Sequence, residues 1–251
     1  MFSALGKGFL LLVMALAASA CVTEPQNRLA NPERALADYI QLGRSYLAEG
    51  ERDQARFNLL KALNVDSRSP EANNLMALLY ESEGENELAR DSYRRALSSD
   101  SSYTPARVNY ARLLYAEEDY REARDQYQRA VDDVNYRLRA NAFYGLALSQ
   151  LRLGEDEEAG QSLRRAMQLN PSLAPALLEF AELAYDQRSF AISMQYLERF
   201  EQVATATPRS LDLGIRLAQV FSDSEKEATY RMALGSMFPD SLQARERRLE
   251  Q

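Results

Sequence analysis

The chain has 251 residues, 46% hydrophobic and 27% charged, enough for one large folded domain or two small ones. A formal net charge of −7 and a pI near 5.0 argue against a general nucleic-acid binder. Histidine is absent and Cys21 is the single cysteine, which removes the commonest general base, the Ser-His and Cys-His nucleophile pairs, most zinc sites and any intrachain disulfide.

Residues 1–21, MFSALGKGFLLLVMALAASAC, open with a short positive region at Lys7. The apolar run from Phe9 to Ala17 follows, too short for a comfortable bilayer span. It ends in Ala18-Ser19-Ala20-Cys21, which resembles the bacterial lipobox, with Ala18 where Leu is commoner. The other reading is a plain Ala-x-Ala secretory signal with Cys21 a free thiol. The lipobox resemblance implies a signal peptide over 1–20 and lipid attachment, palmitate included, at Cys21. Val22, rather than Asp, after the cysteine points by the same resemblance to the periplasmic face of the outer membrane. Residues 21–35 read as a lipidated tether: 22–35 hold two prolines and little apolar patterning, a reach of roughly 20 Å.

Beyond the tether the sequence repeats itself. Gly50, Ala55 and Ala62 recur at a step of 34 as Gly84, Ala89 and Ala96, and the alanines again as Ala123 and Ala130. A step of 36 then reaches Gly154, Ala159 and Ala166. This period, with Leu42-Gly43-x-x-Tyr46 ahead of Gly50, Ala55, Leu59 and Ala62, resembles the tetratricopeptide repeat (TPR). Small residues at Gly43, Ala77, Ala111 and Ala147 on each first helix (A) face small residues on each second (B) and let the two approach closely. Prolines 70, 105, 171, 175 and 208 fall at repeat boundaries or in first helical turns.

The expectation is therefore an all-α protein: a right-handed TPR superhelix, or α-solenoid, of about six helix-turn-helix repeats. The array runs over 36–239, phased 36–69, 70–103, 104–137, 140–173, 174–207 and a degenerate 208–239. Two extra residues near Arg137-Leu138-Arg139 lengthen a helix or a turn. In the fifth repeat Ser193 and Phe200 replace alanines. The sixth pair runs through Leu217-Ala218-x-x-Phe221, then Ala228, Met232 and Gly235. Residues 240–251 form a polar, solvating C-terminal cap.

By resemblance to the TPR family, positions 2, 5, 9 and 12 of each repeat line a concave groove. Here they supply Ile40, Arg44 and Leu47, then Asn74 and Leu78, then Val108, Arg112 and Tyr115, then Tyr144, Leu148 and Leu151. That reads as a largely apolar strip with two arginines and an amide, suited to an extended or helical peptide. The competing reading buries some of these residues against neighbouring helices.

Other features read as structural. Glu155-Asp156-Glu157-Glu158 opens a helix, where carboxylates favour the dipole end. Tyr46, Tyr80, Tyr93 and Tyr127 occupy packing positions, and Arg245, Arg247 and Arg248 belong to a solvated terminal helix. Twenty-seven arginines against three lysines read as composition, because no arginine cluster forms a stripe. No P-loop, Gly-x-Ser-x-Gly, Ser-x-x-Lys or dinucleotide fingerprint occurs, so no catalytic residue, metal site or cofactor is expected.

Over essentially its whole length the chain resembles the type IV pilus biogenesis and stability lipoproteins of the PilF/PilW family. The resemblance is carried by the lipobox, YIQLGRSYLAEGERDQA, NPSLAPALLEFAELAYD and the degenerate end LGIRLAQVFSDSEKEATYRMALGSMFPDS. It implies a non-enzymatic pilotin, a monomer that binds the pilus secretin (PilQ-like) and promotes its outer-membrane localisation and assembly. A TPR lipoprotein that scaffolds peptidoglycan enzymes or outer-membrane β-barrel assembly has the same physical features and differs only in its partner. A hydrolase built on Asp and Glu instead requires a pocket with two convergent carboxylates of shifted pKa.

Overall fold

The computed structural model describes residues 31–249. Among the described residues there are thirteen helices and no strand. They are α1 (Pro32–Glu49), α2 (Arg52–Val65), α3 (Pro70–Glu83), α4 (Asn86–Ser99), α5 (Thr104–Ala116), α6 (Tyr120–Val131), α7 (Arg139–Leu153), α8 (Asp156–Leu169), α9 (Ala174–Asp186), α10 (Phe190–Val203), α11 (Pro208–Val220), α12 (Ser224–Met237) and α13 (Leu242–Leu249). The chain divides into two compact units, one ending at Ser67 and holding α1 and α2, the other beginning at Arg68 and holding the rest. None of these helices is long and apolar enough to cross a membrane.

Helix starts and stops follow from single residues. Asn31, Ser69 and Thr207 accept bonds from the backbone nitrogens of Arg34, Ala72 and Ser210 at 2.9, 3.2 and 3.1 Å, each with proline next in the chain. Every A helix ends in a left-handed residue that turns the chain into its B helix. Gly50, Gly84 and Gly154 take that role with φ of 78°, 79° and 75°. Where glycine is missing, Glu118, Arg188 and Ser222 adopt it with φ of 64°, 57° and 57°.

Within each pair the core is made by residues that leave no room. Ala55, Ala89, Ala123 and Ala159 have no exposed surface, and Ser193, at the same place on α10, has none either. The Ser193 hydroxyl satisfies itself by donating to the Ala181 carbonyl at 2.7 Å. On α1 a Cβ at Gly43 would stand 2.6 Å from the Leu59 side chain. Between pairs the fit is as close: on α7 a Cβ at Gly145 would stand 2.4 Å from the Tyr127 ring of α6. Large apolar side chains such as Tyr93, Leu114, Leu163, Leu177 and Leu197 fill the spaces between pairs. Phe200, where an alanine was the pattern, is buried in that core.

The two extra residues near Arg137-Leu138-Arg139 lengthen a turn, the α6–α7 connection over 132–138 that separates Val131 from Arg139. The structure departs from the sequence phase in two other places. First, α1 begins at Pro32, so residues 32–35, assigned above to the tether, are helical: Asn31-Pro32 is a cap followed by a proline at the first turn. Second, Ala228, Met232 and Gly235 face away from α11, and Met232 is 74% exposed. The register puts Glu227 at the alanine place, and the large Ile215 stands on α11 where other A helices are small. Tyr230 and Leu234 pack inward instead, Tyr230 against Gly214. The terminal α13 is not simply solvated: Ala244 is buried with Leu211, Ile215 and Leu234, and Arg247 pairs with Asp212 at 2.7 Å.

Overpacking follows from this geometry. Ala89→Leu, Ala123→Leu and Gly145→Ala should each lower stability by about 1–3 kcal/mol in urea unfolding. Glu118→Gly and Arg188→Gly relieve a left-handed backbone, and should raise stability by up to about 1 kcal/mol in the same assay.

Candidate functional site: the A-helix strip

Each A helix presents one turn-by-turn row of residues at positions 2, 5, 9 and 12. In the 68–249 unit the A helices α3, α5, α7, α9 and α11 provide these rows, and α5 touches both α3 and α7, as α9 touches α11. On α3, Asn74 is buried and accepts from the Asn109 side-chain amide at 3.0 Å, while Leu78 is half-buried against the core. On α5, Val108 and Tyr115 are half-buried and Arg112 is exposed. On α7, Tyr144, Leu148 and Leu151 are all half-buried. In the 31–67 unit α1 holds the remaining three: Ile40 is buried, Leu47 half-buried and Arg44 exposed.

The strip is more polar than its sequence suggested, and its polar groups are tied to one another. Arg112 donates to both Glu81 carboxylate oxygens at 3.1 and 2.9 Å, and the buried Tyr93 hydroxyl donates to the same carboxylate. Burial, then Glu81, pushes the Tyr93 pKa far up. Arg152 donates to the Tyr115 hydroxyl at 3.2 Å, and Tyr115 meets Tyr120 edge-on with ring centroids 5.2 Å apart. Arg209 bridges Glu182 and Glu179, the latter at 3.2 Å, and the bond to Glu182 above all raises its pKa. Burial pushes the Tyr144 phenol up to about 12, with Glu179 adding to the effect. Arg216 lies over the Tyr185 ring at 4.5 Å.

Glu81, Asn109, Arg152, Glu179, Glu182 and Arg209 are the members that sequence reasoning missed. Three were within reach of it. Glu81, Glu182 and Arg209 occupy positions 12, 9 and 2 of their repeats, and continuing the register past the fourth repeat finds the last two. Asn109, Arg152 and Glu179 lie one residue off those positions and become visible only with side chains in place. Cys21 lies outside the described residues. Among those described, no cluster of His, Cys, Asp or Glu could hold a metal ion, and the strip contains no nucleophile–base pair. What it offers is side-chain surface: tyrosine and leucine faces between paired charges.

Residues 40–104 and 110–174 match the tetratricopeptide repeat profile. The type IV pilus assembly protein PilF of Pseudomonas aeruginosa is 35% identical over 244 residues, covering 96% of this chain and 97% of that one. The chain belongs to the PilF family of TPR proteins. A solved structure of Pseudomonas aeruginosa PilF superposes with a TM-score of 0.82 at 35% identity, covering 88% of this chain and 99% of that one. That of PilW, a type IV pilus biogenesis factor, shares the fold with a TM-score of 0.74 at 22% identity, covering 84% and 97%.

Glu179 gives the strip a pH signature. Burial raises its pKa, outweighing the nearby Arg209, so its ionised form is the disfavoured one in the fold. The linked stability is present below the unfolded pKa and lost as pH rises through the folded one. Glu179→Gln should therefore melt no lower than the parent at neutral pH, with Glu182 retained for Arg209. That advantage should close as pH falls through the carboxylate range. A lower melting temperature at neutral pH would show that the Arg209 pair outweighs burial.

Proposed function

We propose that this protein is a non-enzymatic pilotin of type IV pilus biogenesis: an outer-membrane lipoprotein, anchored through acyl chains on Cys21, that binds the pilus secretin and promotes its localisation and multimerisation. The observation that carries the reading is the match to PilF across nearly the whole of both chains, combined with a strip built for contact rather than chemistry. The secretin segment lies on the A-helix strip, its apolar side chains against Leu78, Tyr115, Tyr144 and Leu148. Two or more acyl chains hold a protein stably at a bilayer, where one alone is marginal. Confinement by that anchor raises the local concentration of bound secretin subunits, and ring assembly follows by mass action.

Two variants separate binding from location. Leu78→Asp with Tyr115→Asp should abolish co-purification of the secretin while helicity by circular dichroism and the melting temperature stay close to the parent's. Loss of helicity would instead place those residues in the core. Cys21→Ser leaves the array intact but removes the thiol that receives diacylglycerol. The protein should leave the outer-membrane fraction, and heat-resistant secretin multimers should fall several-fold on gels. Unchanged multimers in both variants, with peptidoglycan enzymes or barrel-assembly proteins co-purifying, would favour the scaffold reading over the pilotin.

A further inference from the structure

On the B-helix side of the 68–249 unit lies an open cleft of about 710 Å³, formed by α4, α5 and α6 and separate from the A-helix strip. Its floor is apolar, made by Leu97, Tyr110 and Leu114. Its walls are basic, with Arg90, Arg94, Arg107, Arg121 and Arg129 against three carboxylates. Those carboxylates are already engaged. Asp119 caps α6 by accepting from the Glu122 backbone nitrogen at 3.3 Å, Glu122 accepts from the Gln126 amide at 2.6 Å, and Asp125 accepts from Arg124 at 2.8 and 3.0 Å.

Three of the five cations are not. Among the described residues Arg107, Arg121 and Arg129 form no ion pair, whereas Arg94 pairs with Asp91 at 3.5 Å. Arg107 is only 9% exposed, yet its guanidinium donates to neutral acceptors alone: the Gln126 side-chain oxygen at 2.8 Å and the Ser101 carbonyl. Burial, with Arg129 nearby, lowers its pKa. Arg90 is paired with Glu117, but its buried Nε finds no acceptor. A buried charge without a countercharge is destabilising, and the fold does not require one here. At the place of Arg107 the other repeats of this unit carry Asn73, Phe143, Leu177 and Leu211.

We propose that this cleft is a second docking site, taking an acidic segment of a partner protein in which carboxylates are spaced by apolar side chains. The guanidinium forks of Arg107, Arg121 and Arg129 match carboxylates in geometry and supply the charge that the site lacks. The Leu97–Tyr110–Leu114 floor receives the apolar side chains, which an inorganic oxyanion would leave uncovered. In a chain of net charge −7 such a local basic cleft also steers an acidic segment to one place. This site does not depend on what the A-helix strip binds.

The test is fluorescence anisotropy with a short labelled peptide alternating Glu with Leu, at low salt. The parent should bind it, should not bind a Lys–Leu counterpart, and should bind more weakly as salt rises. The double variant Arg121→Gln with Arg129→Gln alters two exposed side chains, so the fold stays intact, and affinity should drop about tenfold or more. Leu148→Asp on the A-helix strip should leave the affinity unchanged. The proposal is overturned if the double variant binds as the parent does, or if Leu148→Asp alone removes binding. It is also overturned if inorganic phosphate displaces the peptide at comparable concentration, which would make the cleft a simple oxyanion site.

Discussion

Close approach of paired helices is the constraint on which everything else in this protein rests. It is set by side chains that are almost absent: Ala55, Ala89, Ala123 and Ala159 each lie with no exposed surface against the helix before them. Because the spacing between these alanines repeats, each pair within the 68–249 unit meets its neighbour in nearly the same way, and the A helices of that unit fall into register beside one another. The strip is a consequence of that register. Residues far apart in sequence, such as Glu81 and Arg112 or Glu182 and Arg209, become neighbours only because the alanines fix how far apart their helices stand.

The turns show how a repeat tolerates change. A left-handed residue ends each A helix, and glycine fills the place without strain in three of six cases. Glu118, Arg188 and Ser222 accept the same backbone because the helices on either side are already held by packing. This explains which parts of the fold were legible in sequence. The period, the alanines and the glycines come from local rules that every repeat obeys, so the all-α solenoid and most helix positions could be read directly. The degenerate sixth pair could not. With Ile215 where a small residue belongs and Glu227 where alanine does, α12 packs through Tyr230 and Leu234, a solution that depends on Gly214 in the facing helix.

The strip itself was half legible. Its positions followed from the register, but its chemistry did not, because a row of residue types does not say which are paired. Arg112 reads in sequence as a free cation in a groove and Asn74 as an available amide. In the structure the first is held by Glu81 and the second by Asn109. The arginines were misjudged in the opposite sense. Read as composition without a stripe, Lys61, Arg95, Arg129, Arg165 and Arg199 in fact recur at one position of successive B helices, at the same steps as the alanines. The signal lay in the period rather than in any local cluster.

The two faces of the 68–249 unit therefore differ in how their charge is settled. Along the A-helix strip, Arg112 and Arg209 meet carboxylates of the same chain and Arg152 meets a tyrosine hydroxyl, and what remains for a partner is tyrosine and leucine surface whose burial is non-directional and tolerant of sequence. In the B-helix cleft the carboxylates are spent on caps and neighbouring side chains, and Arg107 is left with neutral acceptors only. Solenoid packing alone selects against such a residue, as the asparagine, phenylalanine and leucines at its place in the other repeats illustrate. A fold that keeps an unneutralised guanidinium in its interior gives up stability there. That loss is recovered when something outside the chain brings the missing carboxylate.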